Sequence, residues 1–282
     1  MGADVEPRAS RRVPRAGLRG DAAPDRRRGA GVDPRRGAGD RRSLRPRGRA
    51  HRLHHQGPRR RPRRRVLRLG RGRALLPRGG ARDAEGRLVC PPRLAINKIG
   101  HALHDLLPEF REFCRQPCFG ELLRDLGYAA PVLWQTMFIF KQPRIGGEVR
   151  WHQDATYLIS EPACVTGLWV ALEDAHRDNG CLWVQPGGHR TPLRERYEVD
   201  WSTRTGTLHT VDATPWPTDA QAVALEVPAG TVVVFHDHLP HRSSHNHSAT
   251  SRHAFTMHAA EKGAGWPSRN WLQRPKLGDF AL

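Results

Sequence analysis

The sequence predicts a mainly β protein of the jelly-roll or barrel class, with helices that precede and flank the sheets. Three observations support this prediction. Apolar residues at helical spacing lie before residue 127, short segments rich in β-forming residues follow from residue 132, and turns with Gly or Pro separate those segments. Short strands at such spacing are typical of jelly rolls and barrels.

The helices are predicted in the first part of this region. Residues 94–107 carry apolar side chains at near-helical spacing and predict an entry helix that ends before Pro108. Residues 109–126 predict a second helix, which ends at Gly127. Pro117 interrupts this second pattern, so two shorter helices are the alternative.

The predicted strands are short and rich in β-branched or aromatic residues; they are 132–140, 165–172, 181–184, 222–227, 231–235 and 252–259. The turn at 178–180 is expected to pair the second strand with the third. The turn at 228–230 is expected to join the fourth and fifth strands in a hairpin. Residues 190–220 are polar and carry three prolines, so they predict a long loop or lid.

Charge divides the chain into two regions at residue 82. Residues 1–82 contain 27 Arg, no Lys, six acidic residues and no aromatic residue, which places a charge of +21 there and −2 on the rest. A segment so poor in large apolar groups cannot bury enough apolar surface to offset the conformational entropy that it would lose on folding. We interpret residues 1–82 as disordered or as a translation artefact, since Arg, Gly, Ala and Pro all have GC-rich codons. Residues 83–282 are then one globular domain.

Two other functions for the Arg-rich segment follow from its charge. It could bind nucleic acid through phosphate contacts, or it could direct import into an organelle. Without a genuine Arg-rich segment, no nucleic-acid partner is expected. For residues 83–282 we expect a small-molecule substrate and a monomer.

Location is predicted from what the sequence lacks. The chain has five cysteines, an odd number, and no early apolar run of the kind found in signal peptides. No stretch approaches the roughly 20 apolar residues of a membrane span. The carboxy-terminal residues do not match a peroxisomal Ser-Lys-Leu signal. We therefore expect a reduced, intracellular, cytoplasmic protein without a membrane partner.

The first candidate site is His152-x-Asp154. Residues two apart in an extended chain face the same side, so both side chains could ligate one metal while Gln153 points away. A bare His-x-Asp is more often a surface pair. The motif therefore needs a further ligand from elsewhere in the chain.

A second histidine group supplies that ligand. His236, His238 and His241 follow the predicted strand 231–235, and His241 lies 89 residues after His152. Two His and one carboxylate on one face leave three positions of iron(II) open. Spacing alone does not choose among the three histidines. Arg252, on the last predicted strand, could hold a distant carboxylate in a bidentate fork.

Seven segments that match in order give a closer resemblance: INKIGHALH (96–104), FKQP (140–143), GGEV (146–149), HQDA (152–155), EDA (173–175), NGCLW (179–183) and NWLQ (270–273). Residues 83–282 thereby resemble the phytanoyl-CoA dioxygenase family. The resemblance implies a cupin-like double-stranded β-helix, that is, a jelly roll with flanking helices. It also implies a dioxygenase that uses iron(II), 2-oxoglutarate and O2 to hydroxylate a small organic substrate.

The same resemblance assigns site residues. His152, Asp154 and His241 would be the catalytic metal ligands. The residues that would line the 2-oxoglutarate pocket are Lys98, Met137, Trp169, Ser243 and Arg252. Lys98 and Arg252 would balance carboxylate charge, while Met137 and Trp169 would pack against the carbon chain.

Three alternatives remain at this point. The barrel could be a non-catalytic remnant with a basic tail that binds nucleic acid. It could be a cupin-like metal enzyme that does not use 2-oxoglutarate. A zinc site could also form from His101, His104, Cys114 and Cys118, although Pro117 and the helical apolar pattern favour packing there.

Overall fold

The fold is known from a computed structural model, which describes residues 74–77, 85, 87–88 and 90–282. The predicted disorder of the Arg-rich segment lies outside these residues, apart from one strand at 74–77. Among the described residues, no helix is long and apolar enough to cross a membrane.

The described chain forms twelve strands and three α-helices. In chain order they are β1 (Ala74–Pro77), β2 (Ile96–His101), α1 (Leu103–Leu106), α2 (Pro108–Cys114), α3 (Pro117–Asp125), β3 (Pro131–Lys141), β4 (Val149–His152), β5 (Thr166–Ala171), β6 (Leu182–Val184), β7 (Glu195–Asp200), β8 (Thr205–Thr210), β9 (Val223–Leu225), β10 (Val232–His236), β11 (His241–Ser243) and β12 (Arg252–Glu261).

These strands form two facing sheets and a small hairpin. The larger sheet has the order β1-β2-β3-β12-β5-β10, the smaller has the order β4-β11-β6-β9, and β7 pairs with β8. From β3 to β6, and again from β9 to β12, successive strands alternate between the two sheets. This alternation is the double-stranded β-helix, so the predicted fold class is confirmed.

Each face of the larger sheet packs against a different layer. On the outer face, Phe255 and Met257 of β12 pack with Phe113 and Leu123 of the helices. On the inner face, Trp169 and Ala254 pack with Leu182 of the smaller sheet. Each fully buried large apolar side chain contributes about 1.5–3 kcal/mol. The space between the sheets is therefore a packed interior that contains the candidate site.

The helices are partly as the sequence predicts. Pro117 starts α3, so the alternative of two shorter helices in 109–126 is confirmed. The predicted entry helix at 94–107 is wrong over its first half, because Ile96–His101 forms β2 and pairs antiparallel with β3. Isoleucines at positions 96 and 99 suit a strand equally well, and the neighbouring strand decides the outcome.

Two predicted strand pairings are also wrong. β6 pairs with β11 and β9 rather than with β5, and β10 pairs with β5 rather than with β9. In both cases the connecting turn carries the chain across to the opposite sheet. Residues 190–220 contain the hairpin of β7 and β8 instead of being a loop throughout.

The amino-terminal edge of the larger sheet extends into the Arg-rich segment. β1 pairs antiparallel with β2, with Leu75 opposite Ile99. The boundary predicted at residue 83 therefore lies after the first strand of the sheet.

Candidate active site

The smaller sheet brings two histidines side by side. His152 ends β4 and His241 begins β11, and the antiparallel register places these two residues directly opposite each other. Their ring centroids are 4.1 Å apart. Asp154 follows two residues after His152, where a short 3-10 turn (Asp154–Thr156) begins.

The ligand atoms of these three residues face one another. The Nε2 atoms of His152 and His241 each lie 3.8 Å from Oδ1 of Asp154. All three donor atoms lie within 4.8 Å of one another, and within the described chain this is the one group of His, Cys, Asp or Glu that could hold a metal ion. An ion with bonds of about 2.0–2.2 Å can bridge donors up to about 4.4 Å apart, which includes the two separations of 3.8 Å.

Backbone carbonyls determine which ring nitrogen of each imidazole carries the proton. Nδ1–H of His152 donates to the carbonyl of Arg150 at 2.9 Å, and Nδ1–H of His241 donates to the carbonyl of Leu239 at 2.9 Å. Each carbonyl belongs to the residue two positions earlier in the chain. With the proton on Nδ1, each Nε2 carries the lone pair that a metal ion would take, which is the usual arrangement of metal-binding histidines.

Asp154 is held as a carboxylate. Burial alone would raise its pKa, but the imidazoles of His258, His241 and His152 outweigh burial and hold the pKa well below its usual range. His258 donates from Nε2 to Oδ2 of Asp154 at 3.1 Å. A buried carboxylate beside two imidazole nitrogens is chemically suited to a divalent metal.

The neighbouring polar residues point elsewhere. Gln153 is fully buried on the opposite side, where Nε2 donates to the carbonyls of Pro192 and His238 and Oε1 accepts from the amide of Arg194. His236 is exposed and pairs with Asp237 at 2.7 Å. Of the three histidines that spacing could not separate, His241 is the one that joins His152 and Asp154.

Arg252 and Ser243 meet across the two sheets. Nη2 of Arg252 donates to Oγ of Ser243 at 3.0 Å, and Nε and Nη2 both donate to the carbonyl of Gly180. The guanidinium lies 5.4 Å from the ring of Trp169. Its Nη1 is buried without a hydrogen-bond partner in the described part of the chain. A charged donor is thus available in the interior for an anionic group.

The other predicted pocket residues lie on the same inner face. Met137 of β3 and Trp169 of β5 are both paired with Thr256 of β12, which is four residues from Arg252 along that strand. Directly paired residues, and residues an even number apart, face the same side of a sheet. Lys98 of β2 lies in the adjacent row, opposite Ile139. The structure therefore groups all five predicted cosubstrate residues around one interior surface.

The rival zinc cluster does not come together. Gln135 Nε2 donates to Nδ1 of His101 at 2.8 Å, and Nδ1 of His104 lies 2.9 Å from Oγ1 of Thr136. Burial, together with the charge of Lys98, lowers the pKa of His101 to about 3. Cys114 is fully buried in the apolar core. These residues therefore pack and hydrogen-bond as structural groups.

His258 is a site residue that the sequence reasoning missed. It lies on the inner face of β12, six residues after Arg252, opposite Gln135 and Gly167. The alternation of side chains along a strand could have identified it, because Arg252, Thr256 and His258 face the same side of β12.

Comparison with known proteins identifies the family of the chain. The phytanoyl-CoA dioxygenase family model matches residues 59–254. A phytanoyl-CoA dioxygenase of Arabidopsis thaliana is 43% identical over 196 residues, covering 68% of this chain and 67% of that protein. Phytanoyl-CoA dioxygenase domain-containing protein 1 of Mus musculus is 44% identical over 197 residues, covering 69% and 67%.

Solved structures support the fold. The non-heme alpha-ketoglutarate-dependent epimerase SnoN from nogalamycin biosynthesis aligns with a TM-score of 0.52 at 18% identity, covering 66% of this chain and 73% of that one. The carbocyclase SnoK from the same biosynthesis aligns with a TM-score of 0.50 at 22% identity, covering 69% and 70%. At these identities the likeness concerns the fold alone.

Proposed function

Because the chain belongs to the phytanoyl-CoA dioxygenase family, we propose that it is an iron(II)- and 2-oxoglutarate-dependent dioxygenase that hydroxylates a small organic substrate. One observation supports this most directly. A group of two His and one Asp and a buried Arg with a free Nη1 both lie between the same two sheets. This is the donor set that such an enzyme needs for its metal and for a dicarboxylate.

The metal role is assigned to the three converging side chains. His152 and His241 would bind iron(II) through Nε2, since their Nδ1 protons are already donated to backbone carbonyls. Asp154 would bind through Oδ1, which faces both Nε2 atoms. Three protein ligands on one face leave further positions for cosubstrate and oxygen.

The cosubstrate role is assigned to the residues around Arg252. Its guanidinium and the hydroxyl of Ser243 would hold the distal carboxylate of 2-oxoglutarate. Trp169 and Met137 would pack against the carbon chain, and Lys98 would add positive charge. Burial lowers the pKa of Arg252 to about 10, so the side chain remains a cation at neutral pH.

The oxidation itself would be carried out by the metal and its cosubstrate. With iron bound, 2-oxoglutarate and O2 supply an oxidant: 2-oxoglutarate becomes succinate and CO2, and one oxygen atom enters the substrate. The protein residues bind, orient and shield. Phe235, whose ring lies 4.7 Å from that of His241, helps to exclude water from the metal ligands.

The test is release of succinate by the whole chain, with and without added iron(II), in the presence of candidate substrates. Acyl-CoA thioesters, free acids and nucleic-acid components form the substrate panel, because relatives of one fold diverge in substrate. We expect iron-dependent succinate release that Asp154→Ala abolishes. His236→Ala is the matched control, since His236 is exposed beside the site, and it should retain activity.

Three outcomes would contradict the proposal. An unchanged rate in Asp154→Ala would remove the metal assignment. Activity that survives Arg252→Ala and does not require 2-oxoglutarate would indicate a metal enzyme of another type. Salt-sensitive binding to generic DNA without any 2-oxoglutarate turnover would favour the non-catalytic alternative.

A further inference from the structure

The two oxygens of the Asp154 carboxylate have different surroundings. Oδ1 faces the Nε2 atoms of His152 and His241, each at 3.8 Å. Oδ2 lies 3.1 Å from Nε2 of His258, which comes from the opposite sheet. A carboxylate rotates about the single bond to its chain, so nothing in Asp154 itself determines whether one oxygen or both face the histidines.

The hydrogen bond from His258 to Oδ2 fixes the rotation of the carboxylate, so that one oxygen faces the histidines. A carboxylate only accepts hydrogen bonds, so Nε2 of His258 must carry the proton of this contact. An oxygen that already accepts this proton is less available as a second metal ligand. The contact therefore favours an Asp154 that would bind a metal through Oδ1 alone.

His258 has little other reason to be buried. It is 4% exposed, and its Nδ1 has no hydrogen-bond partner within the described part of the chain. Burial of an unpartnered polar atom costs free energy. The contact with Asp154 is the one hydrogen bond of this side chain in the described structure, which distinguishes His258 from His104, whose ring nitrogens both have partners.

We propose that His258 is a positioning residue that holds the Asp154 carboxylate with Oδ1 toward the two histidines and Oδ2 away from them. The inference rests on the proposed metal site. It adds a fourth side chain, contributed by the larger sheet, to a ligand group otherwise built from the smaller sheet and the turn that follows β4.

The test compares two amides that differ by one methylene. The amide nitrogen of Gln can reach the position of Nε2, whereas that of Asn ends near the position of Nδ1. His258→Gln should therefore keep the hydrogen bond to Oδ2, and His258→Asn should lose it. His253→Asn is the matched control, because His253 lies on the same strand but on its outer face.

The measurement is the affinity of the whole chain for Mn(II) by titration calorimetry, together with the visible spectrum of bound Co(II). Loss of such a supporting partner typically weakens metal binding about 10- to 100-fold. We expect a loss of that size in His258→Asn, with altered Co(II) bands, and near wild-type behaviour in His258→Gln and His253→Asn. The Co(II) bands respond to coordination number, which a purely structural role of His258 would not change.

The outcomes separate this inference from the proposed function. The positioning role would be overturned if His258→Asn bound Mn(II) as tightly as wild type. It would also be overturned if His258→Gln lost as much Mn(II) affinity as His258→Asn. If circular dichroism shows that His258→Asn does not fold, the result for His258→Gln decides alone: retained affinity supports the role and lost affinity overturns it. A wild-type chain that binds no Mn(II) would instead contradict the proposed metal site.

Discussion

Replacing Arg252 with methionine should affect the ligand-free fold and the binding of 2-oxoglutarate in opposite directions. Arg252 is 2% exposed, and no carboxylate of the described residues lies within 4.0 Å of its guanidinium. Burial of a cation without a close anion costs several kcal/mol. The carbonyl of Gly180 would keep a donor after the substitution, because Oγ of Ser243 donates to it at 2.8 Å.

The expected magnitudes follow from these contacts. An apolar replacement of similar volume at a buried charge is often neutral or stabilising by about 1–4 kcal/mol. We expect the unfolding free energy of ligand-free Arg252→Met to stay equal or to rise by up to about 2 kcal/mol. Loss of one partner of a buried charge pair costs about 2–5 kcal/mol, so affinity for 2-oxoglutarate should fall roughly 30- to 5,000-fold.

Both quantities come from thermal or urea unfolding with and without Mn(II) and 2-oxoglutarate. At a cosubstrate concentration 100-fold above the wild-type Kd, binding should stabilise wild type by about 2.7 kcal/mol and Arg252→Met by less than about 1 kcal/mol. Arg242→Met is the matched control: Arg242 is on β11 but pairs with exposed Asp219, so its response to cosubstrate should match wild type. A ligand-free Arg252→Met destabilised by more than 2 kcal/mol, or one that responds fully to 2-oxoglutarate, would refute the reasoning.

Three further predictions concern stability. Burial and the charge of Arg274 lower the pKa of His104 to about 3, so the unfolded chain takes up a proton below about pH 6.5 that the folded chain refuses. The free energy of unfolding should therefore fall as the pH drops from 6.5 towards 3, by about 2 kcal/mol at pH 5. Urea unfolding at a series of pH values should show a fall that is smaller by this amount in His104→Asn than in wild type. Arg274→Met breaks a bidentate pair with Asp105 at 2.9 and 3.1 Å and should cost about 3–5 kcal/mol, much of which Asp105→Leu should restore in the double variant; a cost below 1 kcal/mol would contradict this. Gly167→Ala places a methyl group 2.7 Å from Cε2 of Phe235 and should lower the unfolding free energy by about 1–3 kcal/mol, whereas an unchanged midpoint of thermal unfolding would show that the ring moves freely.

The candidate site was more predictable than the strand pairing around it. His152 and Asp154 follow from a two-residue spacing, and the resemblance selects His241. The geometric reason for that selection is the register of β4 and β11. β11 has three residues, all of them polar, and β4 alternates apolar and polar side chains over only four residues, which is too short a pattern to identify a strand. Such strands form because their neighbours offer hydrogen bonds, which no local pattern records.

The wrong pairings have a common physical origin. Sequence reasoning joined segments across the shortest turns, at residues 178–180 and 228–230. In this fold those turns connect one sheet to the other, so neighbours in sequence are not neighbours in a sheet. The long strands, β3 and β12, were predicted almost in full because each carries enough β-forming residues to be recognised without its partner.

β11 makes the site depend on strand register in an all-or-none way. This three-residue strand is hydrogen-bonded to β4 on one side and β6 on the other, and it carries both His241 and Ser243. A slip of one residue turns every side chain of a strand to the opposite face. It would remove the proposed metal ligand and the proposed cosubstrate hydroxyl together and point the guanidinium of Arg242 inward. If the proposed function is right, a molecule with this strand out of register would be wholly inactive, so misregistration would lower the active fraction of a preparation and leave the turnover of each active molecule unchanged.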